Sequence, residues 1–406
     1  MKKKMKISKA IFIALIFMMS IIIGNENVFA ATTVSNFQQL KAAITDASDG
    51  DTITVSSDIN LTETLVIKNK NITLSGTGKI SADNALKTVD DRQNTLFVIK
   101  DSKVTFDGLT LDGASKNRVI YSENSNITLT STKIINGCPG NDSNINPGGG
   151  IFLQGGSLTA TDTTFSNNKP GSTQGLKDGQ GDKNGGAIYV GSTSADITIN
   201  AGSFENNKVE VLGHGAAIYQ NAGKLNIKGT KFKGNSGHYA SDNEGTQGAC
   251  IHTRENVVAE ISDVEVEIAA GFNTGGFLRS YGSKIQVSGK SKFSINNLGD
   301  NYGVSGGVFC FEGGTSSVVG ATFECKGNSK VSFAGGFIDI VGSGTHNIEG
   351  NTMTGRGNDN NSAIASFGGA ISVEQGARAT VTIKGNTITN STASDNGGAI
   401  AIGTNS

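Results

Sequence analysis

Gly185-Gly186-Ala187-Ile188 and Gly215-Ala216-Ala217-Ile218 are two of nine copies of one pattern: a pair of small residues, a small or apolar residue, then a large apolar one. The others are Gly148-Gly149-Gly150-Ile151, Gly248-Ala249-Cys250-Ile251, Gly275-Gly276-Phe277-Leu278, Gly306-Gly307-Val308-Phe309, Gly335-Gly336-Phe337-Ile338, Gly368-Gly369-Ala370-Ile371 and Gly397-Gly398-Ala399-Ile400. From first glycine to first glycine the spacings are 37, 30, 33, 27, 31, 29, 33 and 29 residues. Such a period belongs to a solenoid, whose units bury their apolar faces only by stacking on one another.

Each later repeat continues with a second short strand, such as Ile197-Thr198-Ile199 or Leu225-Asn226-Ile227, and a third element that carries a phenylalanine. The third element reads Phe165-Ser166-Asn167-Asn168, Phe204-Glu205-Asn206-Asn207, Phe232-Lys233-Gly234-Asn235 and Phe293-Ser294-Ile295-Asn296. Three short strands per coil, with no regular hairpin turns, predict an all-β fold: a single-stranded right-handed parallel β-helix whose coils stack about 4.8 Å apart. The Asn after each Phe (Asn168, Asn207, Asn235) is expected at a turn, bonding backbone groups or adopting a left-handed conformation.

Alternation along a strand tests which side chains face inward. The fourth position of the nine copies is always large and apolar, so it is assigned to the interior. The fifth reads Phe152, Tyr189, Tyr219, His252, Arg279, Cys310, Asp339, Ser372 and Ala401. That mixture suits no apolar core, so this row is expected to face solvent.

Upstream, strands such as Leu65-Val66-Ile67, Ile72-Thr73-Leu74, Leu96 to Ile99, Val104-Thr105-Phe106 and Ile127-Thr128-Leu129 follow one another without a helical period. Before them, Ser35 and Gln38 form a capping-box pattern, and Phe37, Leu40, Ala43, Ile44 and Ala47 lie on one helical stripe. A short helix there would cover the open apolar end of the first coil. The expected division is therefore 1–30 leader, 31–56 N-terminal cap and 57–406 β-helix, with glycine-pair repeats from 148.

Lys2, Lys3, Lys4, Lys6 and Lys9, the apolar stretch Ile11 to Gly24, and Val28-Phe29-Ala30 read as a bacterial Sec-type signal peptide cleaved before Ala31. A secreted or cell-surface location follows, and no later apolar run predicts a transmembrane segment in the mature chain. Without the leader, 29 basic and 34 acidic residues remain, a formal charge of −5 that offers no footprint for nucleic acid. Export permits disulfides, but the spacing of Cys138, Cys250, Cys310 and Cys325 favours unpaired members of packed rows and matches no zinc pattern.

The paired Gly-Gly-Ala-Ile and Phe-x-x-Asn motifs, from about residue 148 to 406, resemble the repeats of chlamydial polymorphic outer membrane proteins and related bacterial surface proteins. The stretch Val34 to Gly76, with its helix and the strand Lys70-Asn71-Ile72-Thr73-Leu74, looks like the opening of pectate-lyase-like β-helix proteins. The resemblance implies a secreted adhesin, often with a carboxy-terminal membrane barrel. Here Ser406 falls part way through a coil, so a helix that continues or is truncated there is expected.

Long insertions precede several glycine pairs, at 136–147, 169–184, 236–247 and 355–367. Emerging at the same point of each coil, they would wall one side of the outward row and form a groove. Phe152, Tyr189, Tyr219 and His252 would then stack as an aromatic strip suited to carbohydrate or protein, or would simply stabilise coil stacking. Arg279 and Asp339 fall in the same row two coils, about 9.6 Å, apart. They form neither a lyase's set of acidic calcium ligands with a basic proton abstractor nor a hydrolase's carboxylate pair. His214, His238, His252 and His346 fall in different repeats; His252 beside Cys250 is read as an ordinary exposed histidine, and no metal or cofactor is expected, calcium being compatible with the fold but unsupported by any residue set. Gly355 to Asn360 and Gly179-x-Gly181 are read as turns.

These readings favour a non-catalytic adhesin that presents a lateral surface to host or matrix protein or to carbohydrate, with Phe152, Tyr189, Tyr219, His252, Arg279 and Asp339 as candidate ligand-binding residues. The alternatives are a polysaccharide lyase or glycoside hydrolase using the same groove, and a passive, self-associating stalk.

Overall fold

The computed structural model describes residues 31–403 apart from 88, 91, 93, 141–146, 172–182, 192–193, 211, 239–244, 269–270, 297–304, 328, 332 and 358–362. The leader, the middles of the four insertions, the Gly179-x-Gly181 segment and the second half of Gly355 to Asn360 thus lie outside the described residues. Among the described residues the strands form a 21-stranded sheet, a 12-stranded sheet and a small pair. All pairings between these strands are parallel, each strand bonding its counterpart in the next coil. This is the expected right-handed parallel solenoid.

The larger sheet covers two of the three strand positions because the chain can turn the first corner without leaving the ladder. Arg118–Thr130, Ile151–Thr161, Ile218–Lys228 and Ile251–Ser262 are single bent strands that span both positions. The 12-stranded sheet supplies the third position and its phenylalanines.

Side chains of like kind stack into columns. The fourth-position column runs Leu65, Phe97, Ile120, Ile151, Ile188, Ile218, Ile251, Leu278, Phe309, Ile338, Ile371 and Ile400, each in register with the next. Opposite it, Phe165, Phe204 and Phe232 stack with centroids 4.7 and 5.1 Å apart and planes within 6°. Burying each such ring contributes about 1.5–3 kcal/mol before packing terms.

The asparagines behind these rings form a buried amide ladder. Asn168 Nδ2 donates to Asn207 Oδ1 at 2.9 Å, and Asn207 Nδ2 donates to Asn235 Oδ1 at 2.8 Å. The main-chain N–H groups of Asn168 and Asn207 donate to the same oxygens. Of the two roles expected for these residues, backbone bonding is the one observed; Asn167 and Asn206, one position earlier, take the left-handed conformation at φ 55° and 54°.

At the N-terminus α1 (Phe37–Asp46) lays Phe37, Leu40 and Ile44 over the open end of the first coils. Its cap differs by one residue from the expected box. Asn36 accepts the bond from Gln39 N–H at 3.0 Å, and Gln39 Oε1 accepts from Ser35 N–H at 2.9 Å. The reciprocal logic is kept, with Asn36 and Gln39 in place of Ser35 and Gln38. All four cysteines are free and buried, as expected of row members.

Candidate functional site

The fifth-position residues form one continuous row, and it starts earlier than the glycine pairs. Val66, Val98, Tyr121, Phe152, Tyr189, Tyr219, His252, Arg279, Cys310, Asp339, Ser372 and Ala401 are paired in register. The candidate residues Phe152, Tyr189, Tyr219, His252, Arg279 and Asp339 therefore share one wall of the solenoid. Their side chains point away from the inner column: Val98, Tyr121, Phe152, Tyr189 and Tyr219 form an apolar cluster of their own.

The expected exposure is corrected. Phe152, Tyr189, Tyr219, His252 and Asp339 are each at most 7% exposed, and the Arg279 side chain is 13% exposed. Alternation gave the direction of these side chains, but the turn before the strand decides what covers them. The first glycine of all nine pairs has φ between 60° and 66°, a conformation open to glycine at little cost. There the chain hooks so tightly that a Cβ on Gly185 would lie 2.4 Å from Ile188 O and 2.7 Å from Tyr189 Cβ. The hook lays the residue before the glycine against the row. Gln247, Thr274, Ser305, Ala334 and Phe367, all at that position, form a ladder of parallel bridges.

The cover makes specific contacts. Arg118 Nε and Nη2 donate to Gly148 O and Pro147 O at 3.0 and 2.9 Å, with the guanidinium 5.5 Å above the Phe152 ring. Arg92 lies 4.0 Å above the Tyr121 ring and bonds its hydroxyl at 2.6 Å. Phe152 meets Tyr189 edge-on, whereas Tyr189, Tyr219 and His252 stack face to face at 5.3 and 5.1 Å. His214, just before its glycine, stacks on His252 at 5.0 Å. The aromatic row thus stabilises coil stacking, and His252 is an enclosed histidine where an exposed one was expected. Cys250, two residues earlier, belongs to the inner core.

Electrostatics change along the row. Burial, reinforced by Arg279 and Arg254, lowers His214 to about 4. His252 lies well below its usual value because of burial, then His214 and the two arginines. Both imidazoles are neutral at physiological pH, and neither His252 ring nitrogen has a hydrogen-bond partner. Arg279 forms a close ion pair with Glu312 and donates to Thr274 Oγ1 at 3.3 Å. It does not pair with Asp339, two coils on.

Asp339 instead meets Glu374, a residue the sequence reading missed. Burial first, and the neighbouring Glu374 carboxyl second, raise Asp339 well above the ordinary carboxylate range. The missing signal was alternation across coils: Ser372 follows Asp339 in the row, and Glu374 lies two residues further along the chain, just past the end of the strand Ile371–Val373. Ser372 and Glu374 open onto a cleft of about 600 Å³ lined also by Phe333, Phe367, Gln375 and Ala401. Among the described residues no three His, Cys, Asp or Glu side chains converge.

The molecule is thus a right-handed parallel β-solenoid with a helical N-terminal cap and a second, covered row outside its core. Comparison with protein-family models and with curated proteins finds no match for the chain. The architecture fits that of pectin-lyase-like repeat proteins in general, and nothing ties it more closely to them or to the chlamydial repeats. A β-solenoid of this kind is compatible with ligand-presenting or enzymatic surfaces. No helix among the described residues is long and apolar enough to cross a membrane.

Proposed function

We propose that the protein is an exported, cell-surface or secreted adhesin-like scaffold whose solenoid wall presents a lateral surface to host or matrix protein or to carbohydrate. The observation that carries this reading is the fate of the chemically versatile side chains. Tyr189, Tyr219, His252 and Asp339 are consumed in packing, while the opposite faces of neighbouring strands carry long polar columns in register. In one of them Thr52, Thr73, Thr105, Thr128, Thr159 and Thr198 follow one another over six coils. All six are half-buried, giving a rigid strip of hydroxyl and methyl groups about 24 Å long at strand spacing. Asn71, Lys103 and Asn126 flank it, exposed to solvent.

The outer row does not offer the acid pair of a glycosidase. A glycosidase needs two accessible carboxyls about 5–9.5 Å apart, whereas Asp339 is fully buried against its acidic neighbour. The test is binding of the mature chain to immobilised matrix proteins and a glycan array, beside an assay for unsaturated products or new reducing ends from polygalacturonate. Saturable binding that drops at least tenfold in the Thr128→Lys, Thr159→Lys double variant supports the adhesin reading. Turnover would replace it with the lyase or hydrolase alternative. Oligomers without either activity would favour the stalk.

A further inference from the structure

Buried polar atoms without partners are uncommon in folded proteins and call for a physical account, such as an ion or water. Here they gather along the outer row. Both ring nitrogens of His252, Arg279 Nε and both carboxylate oxygens of Asp339 are among them. Asp339 is the most demanding, because a fully buried carboxylate costs several kcal/mol unless a proton or a cation compensates it. Among the ion pairs of the described residues none involves Asp339, and Arg279, the nearest cation in the row, is held by Glu312.

Three further oxygen groups surround that carboxylate. The hydroxyls of Ser305 and Ser372 and the carboxyl of Glu374 are its close neighbours, yet none makes a well-formed hydrogen bond to either Asp339 oxygen. The donors come from three successive coils: Ser305 precedes the hook of one, Asp339 lies on the strand of the next, Ser372 on that of the third and Glu374 just past its end. Nitrogen is absent from this set, and Ser372 and Glu374 also line the adjoining cleft of about 600 Å³.

We propose that Asp339, Glu374, Ser305 and Ser372 form a calcium site that staples three successive coils through the outer row. Hard oxygen donors, two of them anionic, with water completing the shell from the cleft, suit calcium's flexible coordination better than magnesium's strict octahedron. The bound ion supplies the positive charge that the row lacks at this level. This site is independent of any lateral ligand, so it stands or falls apart from the adhesin reading.

The experiment uses the full mature chain, stripped with EDTA and titrated with calcium chloride at neutral pH by calorimetry and by thermal melting. One site per chain with half-saturation between about 0.1 and 1 mM, the range of extracellular calcium modules, is expected. The melting temperature should rise with occupancy, and proteolysis within 363–403 should slow. Asp339→Asn and Glu374→Gln, both close in shape to the native residues, should each weaken binding at least tenfold. An absent heat and an unchanged melting point up to about 10 mM calcium, tenfold above that range, would overturn the site. So would an equal response to magnesium, or an undiminished response in Asp339→Asn. Should Asp339→Asn not fold, an undiminished calcium response in folded Glu374→Gln has the same force.

Discussion

The inner column from Leu65 to Ile400 and the outer row from Val66 to Ala401 occupy adjacent residues of the same strands, yet they solve burial differently. Inside, every level repeats a large aliphatic or aromatic side chain, and the stack needs nothing more. Outside, the row passes from valine through aromatics to His252, Arg279, Cys310 and Asp339, and becomes dry because each glycine hook folds its preceding residue over it. The inner column is therefore a device for stability. The outer row stabilises stacking through its aromatic levels, but from His252 to Asp339 it holds polar groups that contribute little to stability and in places oppose it.

Changes of declining size should separate the two. Phe204→Ala, in the ring stack that faces the inner column across the core, empties a level between two stacked rings and is expected to cost about 3–5 kcal/mol in urea unfolding; a loss below about 1 kcal/mol would mean the core can collapse around the gap. Acid should strike the outer row next. His214, lowered to about 4 from 6.5, takes up its proton in the unfolded chain before the folded one. Stability is thus complete above pH 6.5 and falls as pH drops toward 4, by about 3 kcal/mol from this group. Urea midpoints followed over that window check it, and a midpoint that rises on acidification contradicts the assignment. His346, also lowered to about 4 by burial, adds to the loss, so His214→Gln should reduce the slope without abolishing it.

Gly215→Ala tests the hook itself. Its φ of 64° would place a Cβ 2.2 Å from Ile218 O, so a loss of about 1–3 kcal/mol is expected from the backbone conformation alone. Hydrogen exchange should locate the loosening at the cover over Tyr219, and uniform loosening of the inner column instead would show that the hook serves the core. The smallest effect should come from His252→Leu. Replacing a ring whose nitrogens bond nothing by an apolar side chain is expected to leave stability at neutral pH within about 1 kcal/mol. A larger loss would reveal a polar role for His252.

Much of this was legible in the residues. The glycine-pair period, the identity of the fourth position and the phenylalanine series fixed the coil and its inner column, because stacking demands like on like at each level. The fifth position was placed on the right wall and wrongly in water. Pattern reading assigns a side chain to a face, whereas exposure depends on a contact thirty residues away, such as His214 on His252 or Ser305 beside Asp339. Glu374 escaped for a related reason. Its partner lies one coil back and two residues over, a diagonal that a scan along single rows does not cross. The cap helix shows a milder version, since Asn36 and Ser35 are both good caps and only the chain's path into the helix selects Asn36.

The amide ladder has a directional consequence. Asn168 directs its main-chain and side-chain N–H groups at the oxygen of Asn207, and Asn207 does the same to Asn235. A completed coil therefore holds out donors that only its successor can satisfy. A chain folding from its N-terminal end would meet a ready template at each step, growing like a crystal from one seeded end.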